Sequence, residues 1–177
     1  MAPAEFSLRL QYGKSESRCN HRRVWRSWTC LGITGGFAPP TPSAIYTVTK
    51  SSPQNQLYVS SAIRADGTAH LQDAIARPLV YHAGDTAKLL DEVYDILKTL
   101  PMEKPIGSED IYGLDASIAW GSDDLMWING GPQGCGGGTS TVQPTEEQKA
   151  KFKRAVDILQ VLIQRANAPP EQQEQES

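Results

Sequence analysis

The side chains most able to do chemistry in this chain are three cysteines and three histidines, and half of them crowd into one stretch. Residues 14–32, KSESRCNHRRVWRSWTCLG, hold Cys19, His21 and Cys30 beside two tryptophans, with five basic residues against one acid. Thiolate and imidazole are zinc ligands, but a structural zinc site closes with four, commonly at C-x₂₋₄-C and H-x₃₋₅-H spacing. Here the pattern is C-x-H, then a cysteine after eight intervening residues, and no fourth ligand stands nearby. No metal site is expected. The mixture of arginine and tryptophan would suit single-stranded nucleic acid, where aromatic rings stack on bases. The whole chain carries a net charge of −3, however, and without this stretch it is more acidic still. A phosphate backbone needs a basic surface, so no nucleic-acid partner is expected.

The third cysteine, Cys135, lies in GGPQGCGGG and is the candidate reactive thiol. As a nucleophile it would need a base such as His70 or His82 within hydrogen-bond reach and a lowered pKa. No cysteine-protease signature flanks it. A phosphate loop is excluded because no lysine follows the glycines. The dinucleotide pattern fails because Thr139 stands where the third glycine should fall. The segment reads as a hairpin-to-helix connection, and no cofactor is expected. Asp123-Asp124 and Glu109-Asp110 read as turn and solvated acids, and Trp120 and Trp127 as cross-strand packing rather than a ligand cage. No catalytic residue is assigned, so a non-enzyme is the preferred reading. A thiol-dependent enzyme using Cys135 stands as the alternative.

These residues must be positioned by regular elements, and the patterning indicates which. Residues 6–12 (FSLRLQY) alternate strictly, which places Phe6, Leu8, Leu10 and Tyr12 on one face of a half-buried strand. IYTVT (45–49) and LYVSSAI (57–63) read as a hairpin, and a short extended piece is expected near 70–75. In GDTAKLLDEVYDILKTLP, a stripe of Leu89, Leu90, Val93, Ile96, Leu97 and Leu100 predicts a helix capped by Asp85 and stopped by Pro101. ASIAW (116–120) and LMWIN (125–129) predict a second hairpin. Thr145 with Gln148 is a capping box opening a second amphipathic helix, whose buried face is Phe152, Ala155, Val156, Leu159, Leu162, Ile163 and Ala166. The expectation is an α+β domain over 1–166, an antiparallel sheet of about four to five strands packed against two helices. A polar tail, 167–177, is expected to be disordered. No apolar run approaches the roughly 20 residues that span a bilayer, so no membrane role is expected. The start, MAPAEFSLRL, lacks a secretory pattern, and a cytoplasmic location with reduced thiols is expected.

Residues 14–32 also invite a reading at the nucleic-acid level. Gly13-Lys14-Ser15 can be encoded with the GUAAGU that opens a spliceosomal intron, and Leu31-Gly32 with the UAG that closes one. The phases agree, and excision restores a glycine in frame. The stretch therefore reads as a retained intron or gene-model error, with a basic disordered surface insertion as the alternative. Either way it is set aside from fold reasoning.

With it removed, the start reads FSLRLQYG-ITGGFAPPTPSAIYTVT. A strand, then Gly35-Gly36-Phe37-Ala38, then a returning strand resembles the emfourin-like family, small proteinaceous inhibitors of thermolysin-type (M4) metalloproteases. The later order of a Leu-rich helix, a hairpin and a closing amphipathic helix is similar too. The resemblance implies a protein-binding module, possible protease inhibition, and Gly35, Gly36, Phe37 and Ala38 as partner-binding residues. The chain departs from the family in its proline-rich follow-on, a longer second hairpin and the Gly-rich stretch at 130–138. A structural or regulatory domain sharing the fold is a further reading.

Overall fold

A computed structural model describes residues 1–13, 42–51, 56–65, 68, 70–81, 84–130 and 139–168. Six strands and two helices follow in the order β1 (Phe6–Tyr12), β2 (Ala44–Lys50), β3 (Gln56–Ile63), β4 (Ile75–Val80), α1 (Gly84–Thr99), β5 (Ala116–Gly121), β6 (Met126–Ile128) and α2 (Glu146–Asn167). All strand pairs are antiparallel, and they form one sheet ordered β4-β3-β2-β1-β5-β6. The fold is α+β, with one strand more than the upper expectation.

The extra strand is β4, IARPLV. Its Pro78 argues against a strand in sequence, because proline cannot donate to a ladder. The sheet tolerates it because, among the described residues, β4 is an edge that pairs only with β3. The extended piece expected near 70–75 contributes only a single bridge, Arg64 to Leu71, before β4 begins.

The alternation of β1 fixes the register of the whole sheet. Leu8 lies between Val48 of β2 and Trp120 of β5, and Val48 lies beside Val59 of β3. All four are buried. A slip of one residue would turn each of them to the opposite face, so the register is strongly specified. The opposite face carries Arg9, Thr47, Ser60 and Ala119 in one cross-strand row. These residues are half-buried or exposed, and both helices pack on the other side.

Aromatic rings join the helices to the sheet. Phe6 stacks on Trp120 at 4.6 Å between centroids, and Tyr94 of α1 lies 5.6 Å from the same indole. Tyr112 stacks on Phe152 of α2 at 4.1 Å, with Trp127 6.1 Å from Phe152. Such contacts add about 0.5–1.5 kcal/mol each beyond the area they bury. Trp120 and Trp127 are a cross-strand pair in the core, as their placement around the turn suggested.

In α1, Leu90, Val93, Leu97 and the following Leu100 are buried, while Leu89 and Ile96 are partly buried at the margin. Asp85 sits in the first turn of α1, which begins at Gly84. The capping box of α2 is present: the Thr145 hydroxyl accepts from Gln148 N at 3.3 Å, and Thr145 N donates to Gln148 Oε1 at 2.8 Å. All seven residues expected on its buried face are buried. The helix runs to Asn167, one residue past the expected domain end, and Ala168 caps it. Arg154 of α2 makes a two-pronged ion pair with Glu92 of α1, at 2.7 and 3.0 Å. The pair holds the Glu92 carboxyl below its ordinary value. No helix among the described residues is long and apolar enough to cross a membrane.

Candidate functional site

Gly35, Gly36, Phe37 and Ala38, and the reactive-thiol candidate Cys135, lie outside the described residues, as do Cys19, His21, Cys30 and His82. The described residues do settle where the chain leaves and re-enters the sheet around the first four of these. β1 and β2 are paired to their last residues, Tyr12 against Ala44. The ladder continues past them, since Ser43 N donates to the Tyr12 carbonyl at 2.9 Å.

Both strand ends are also tied to their outer neighbours. On the β1 side, Gly13 N donates to the Asp115 carbonyl just ahead of β5, at 3.1 Å. On the β2 side, Arg64 N donates to the Ser43 carbonyl at 2.9 Å, and the Arg64 guanidinium donates to the Pro42 carbonyl at 2.9 Å. Gly13 has φ of +72°, and a Cβ there would come within 2.9 Å of both Ser43 N and Ser43 Oγ. Glycine is thus required twice over, by conformation and by space. Beneath this end, Tyr12 and Tyr46 meet edge to face at 6.3 Å, and Gln160 of α2 donates to the Tyr12 hydroxyl at 2.6 Å. Burial raises the Tyr12 pKa. The result is a four-strand platform whose two exit points are fixed side by side. The sequence names Gly13 only at a possible splice junction, and does not mark Gly13, Ser43, Arg64 or Asp115 as anchors. Gly13 directly after an alternating strand was the available signal.

Two further polar clusters could hold chemistry, and both have structural partners. The first ties the β5–β6 turn to α1. Tyr94 donates to the Asp124 carboxylate, Lys98 Nζ donates to the Tyr94 hydroxyl at 3.3 Å, and Ser122 Oγ donates to Asp124 Oδ1 at 2.9 Å. Trp120 Nε1 donates to Ser122 Oγ at 3.0 Å. The hydrogen bond from Tyr94 lowers the Asp124 pKa, and the same bond raises that of Tyr94. Asp123 and Asp124 are both exposed.

The second cluster surrounds Glu103, which is fully buried. Its Oε1 accepts from Gly107 N at 2.9 Å and from Gly130 N, while Oε2 has no hydrogen-bond partner among the described residues. Nearby, Asn129 is 1% exposed, and its side chain replaces backbone at the end of β6. Asn129 N donates to the Ile118 carbonyl at 3.1 Å, but Ile118 N donates to Asn129 Oδ1 at 2.7 Å rather than to a main-chain carbonyl. Asn129 Nδ2 completes the arrangement on the Ala116 carbonyl at 3.3 Å.

The acidic pair Glu109-Asp110 is more engaged than solvated acids would be. Glu109 accepts from Ser140 N at 2.7 Å and from Gln143 Nε2 at 3.0 Å. Asp110 accepts from Tyr112 N at 3.1 Å and from Asp115 N at 2.8 Å, which braces the turn leading into β5. His70 is exposed near the Arg64–Leu71 bridge, and its carbonyl accepts from Thr68 Oγ1 at 3.2 Å. No group of three or more His, Cys, Asp or Glu among the described residues is placed to hold a metal ion. Comparison with family models, with curated proteins and with solved structures finds no match to this chain.

Proposed function

We propose that the protein is a non-enzymatic protein-binding module, and more specifically an inhibitor of thermolysin-type metalloproteases. The connection between β1 and β2 would be its binding element. One observation carries the reading: the two ends of that connection are joined by the Ser43 N bond to the Tyr12 carbonyl, and each is held from outside, Gly13 by the Asp115 carbonyl and Pro42 by the Arg64 guanidinium. A segment hung between fixed points loses less conformational freedom on binding than one hung from loose ends, which is how preorganisation strengthens recognition. Gly35-Gly36-Phe37-Ala38 falls within that connection, and an apolar Phe37 matches the large apolar side chains that thermolysin-type pockets accept. The partner is therefore a protease, and no cofactor is needed.

The test is a titration of a thermolysin-type protease with the purified protein, following hydrolysis of a short peptide substrate. A stoichiometric loss of activity is expected. Full activity at a large molar excess would refute the inhibitor reading.

A further inference from the structure

Asn129-Gly130 is the only Asn-Gly pair in the chain. This dipeptide is chemically unstable, because a following glycine leaves the backbone nitrogen unhindered. The Gly130 nitrogen can attack Asn129 Cγ, forming a new C–N bond while the Cγ–Nδ2 bond breaks. Ammonia leaves with the proton lost from the Gly130 nitrogen. Water then opens the resulting succinimide at either carbonyl, giving aspartate or isoaspartate.

The fold holds every group in this reaction. The electrophile, the Asn129 carboxamide, is turned along β5, with Oδ1 on Ile118 N and Nδ2 on the Ala116 carbonyl. The nucleophile, Gly130 N, donates to the buried Glu103 carboxylate, which also holds Gly107 N. Cyclisation would have to break the bond at Gly130 N and swing the carboxamide off β5. We propose that Asn129-Gly130 is a latent deamidation site locked by the native fold, with Glu103 as the positioning residue that holds the Gly130 nitrogen away.

The lock fails in one direction. An aspartate at 129 has no Nδ2 donor, so the Ala116 carbonyl would face a carboxylate oxygen inside the core. Once formed, the product loosens the segment that had prevented its formation. The site would thus record transient opening of the β5–β6 end as a permanent covalent mark.

Peptide mapping by mass spectrometry, with isoaspartate quantified during incubation of the full chain at mildly alkaline pH, tests this. Conversion at Asn129 is expected to be at least about a hundredfold slower in the native protein than in the same chain unfolded in urea, because core segments open rarely. Equal rates would overturn the lock. Glu103→Ala, verified as folded by circular dichroism, is expected to convert about tenfold faster than the native protein, since it loses a charge-assisted hydrogen bond. A folded Glu103→Ala protein that converts at the native rate would remove Glu103 from the account. Where that variant does not fold, Glu103→Gln decides. It keeps an acceptor without the charge, so conversion severalfold above the native rate is expected, and a rate equal to the native one contradicts the role of the carboxylate.

Discussion

Two hairpins of one sheet are closed in opposite ways. β5 and β6 are joined by four residues, 122–125, and that turn is woven into the core side of the molecule. Ser122 N donates to the Leu125 carbonyl at 3.0 Å, and the chain Trp120–Ser122–Asp124–Tyr94 links the turn to α1. β1 and β2 lie at the centre of the sheet and are joined by 31 residues, 13–43. Their closing bonds lie at Gly13 and Ser43, where the connection begins and ends. In the first hairpin the turn itself is structure. In the second, the ladder is paired up to Tyr12 and Ala44, and the Ser43–Tyr12 bond extends it by one step.

The contrast predicts that substitutions at the β5–β6 end destabilise strongly and that changes between 14 and 41 do not. The largest effect belongs to Trp127, which is buried and donates from Nε1 to the Leu100 carbonyl at 3.0 Å. Trp127→Ala should cost about 3–5 kcal/mol in urea-induced unfolding, the usual range for emptying an aromatic core site. Asn129→Ala comes next. It leaves Ile118 N without its acceptor, and a buried unpaired group of this kind costs about 1–3 kcal/mol. A loss under half a kcal/mol would mean that the side chain does not carry the end of the ladder.

The third prediction concerns pH. Burial, with the Glu103 charge second, raises the Tyr112 pKa, and the hydroxyl donates to the Pro101 carbonyl at 2.5 Å. The folded protein therefore holds this proton longer than the unfolded chain does. The stability it contributes is complete below the ordinary tyrosine value of about 10 and declines as pH rises from there. Thermal melts of Tyr112→Phe should lose less stability than the native protein over that alkaline range. At the acid end the sign reverses for Glu92 and Asp124, whose carboxyls are lowered by Arg154 and Tyr94. Their contribution is present above the ordinary carboxylate values and is lost as pH falls through the lowered ones. A double variant, Glu92→Gln with Asp124→Asn, should flatten the acid limb of the stability profile.

The smallest effect is expected from deleting residues 14–32. This shortens the connection from 31 residues to 12, which lowers the loop-closure cost by about 0.8 kcal/mol. The deletion variant should melt slightly higher than the full chain, with unchanged circular dichroism. A collapse of the fold would show that the stretch packs on the sheet and would weaken the retained-intron reading.

What the sequence disclosed follows the physics of periodicity. β1, α1 and α2 were legible because alternation and 3/4 spacing are local patterns, and the Thr145–Gln148 box is a local hydrogen-bond motif. β4 was hidden by Pro78, whose acceptability depends on lying at an edge, and an edge is a property of the assembled sheet. Glu103 and Asn129 were hidden for a related reason. Their partners are Gly107, Gly130, Ile118 and Ala116, and no spacing rule connects a carboxylate at 103 with an amide at 130. The candidate site was legible only as a segment, Gly35 to Ala38. The anchors that give it a mounting are contacts among Gly13, Ser43, Arg64 and Asp115, which arise only once β1 has β2 on one side and β5 on the other.

The central claim is that the β1–β2 connection is a binding element carried by a sheet that does not depend on it, and Phe37→Ala tests it most directly. Made in the chain lacking 14–32, the substitution should weaken inhibition of a thermolysin-type protease at least about tenfold, the loss of one apolar anchor. The unfolding free energy should stay within about 0.5 kcal/mol of the parent, as for a residue outside the core. Undiminished inhibition, or a stability loss of about 3 kcal/mol or more as for a buried phenylalanine, would contradict the account.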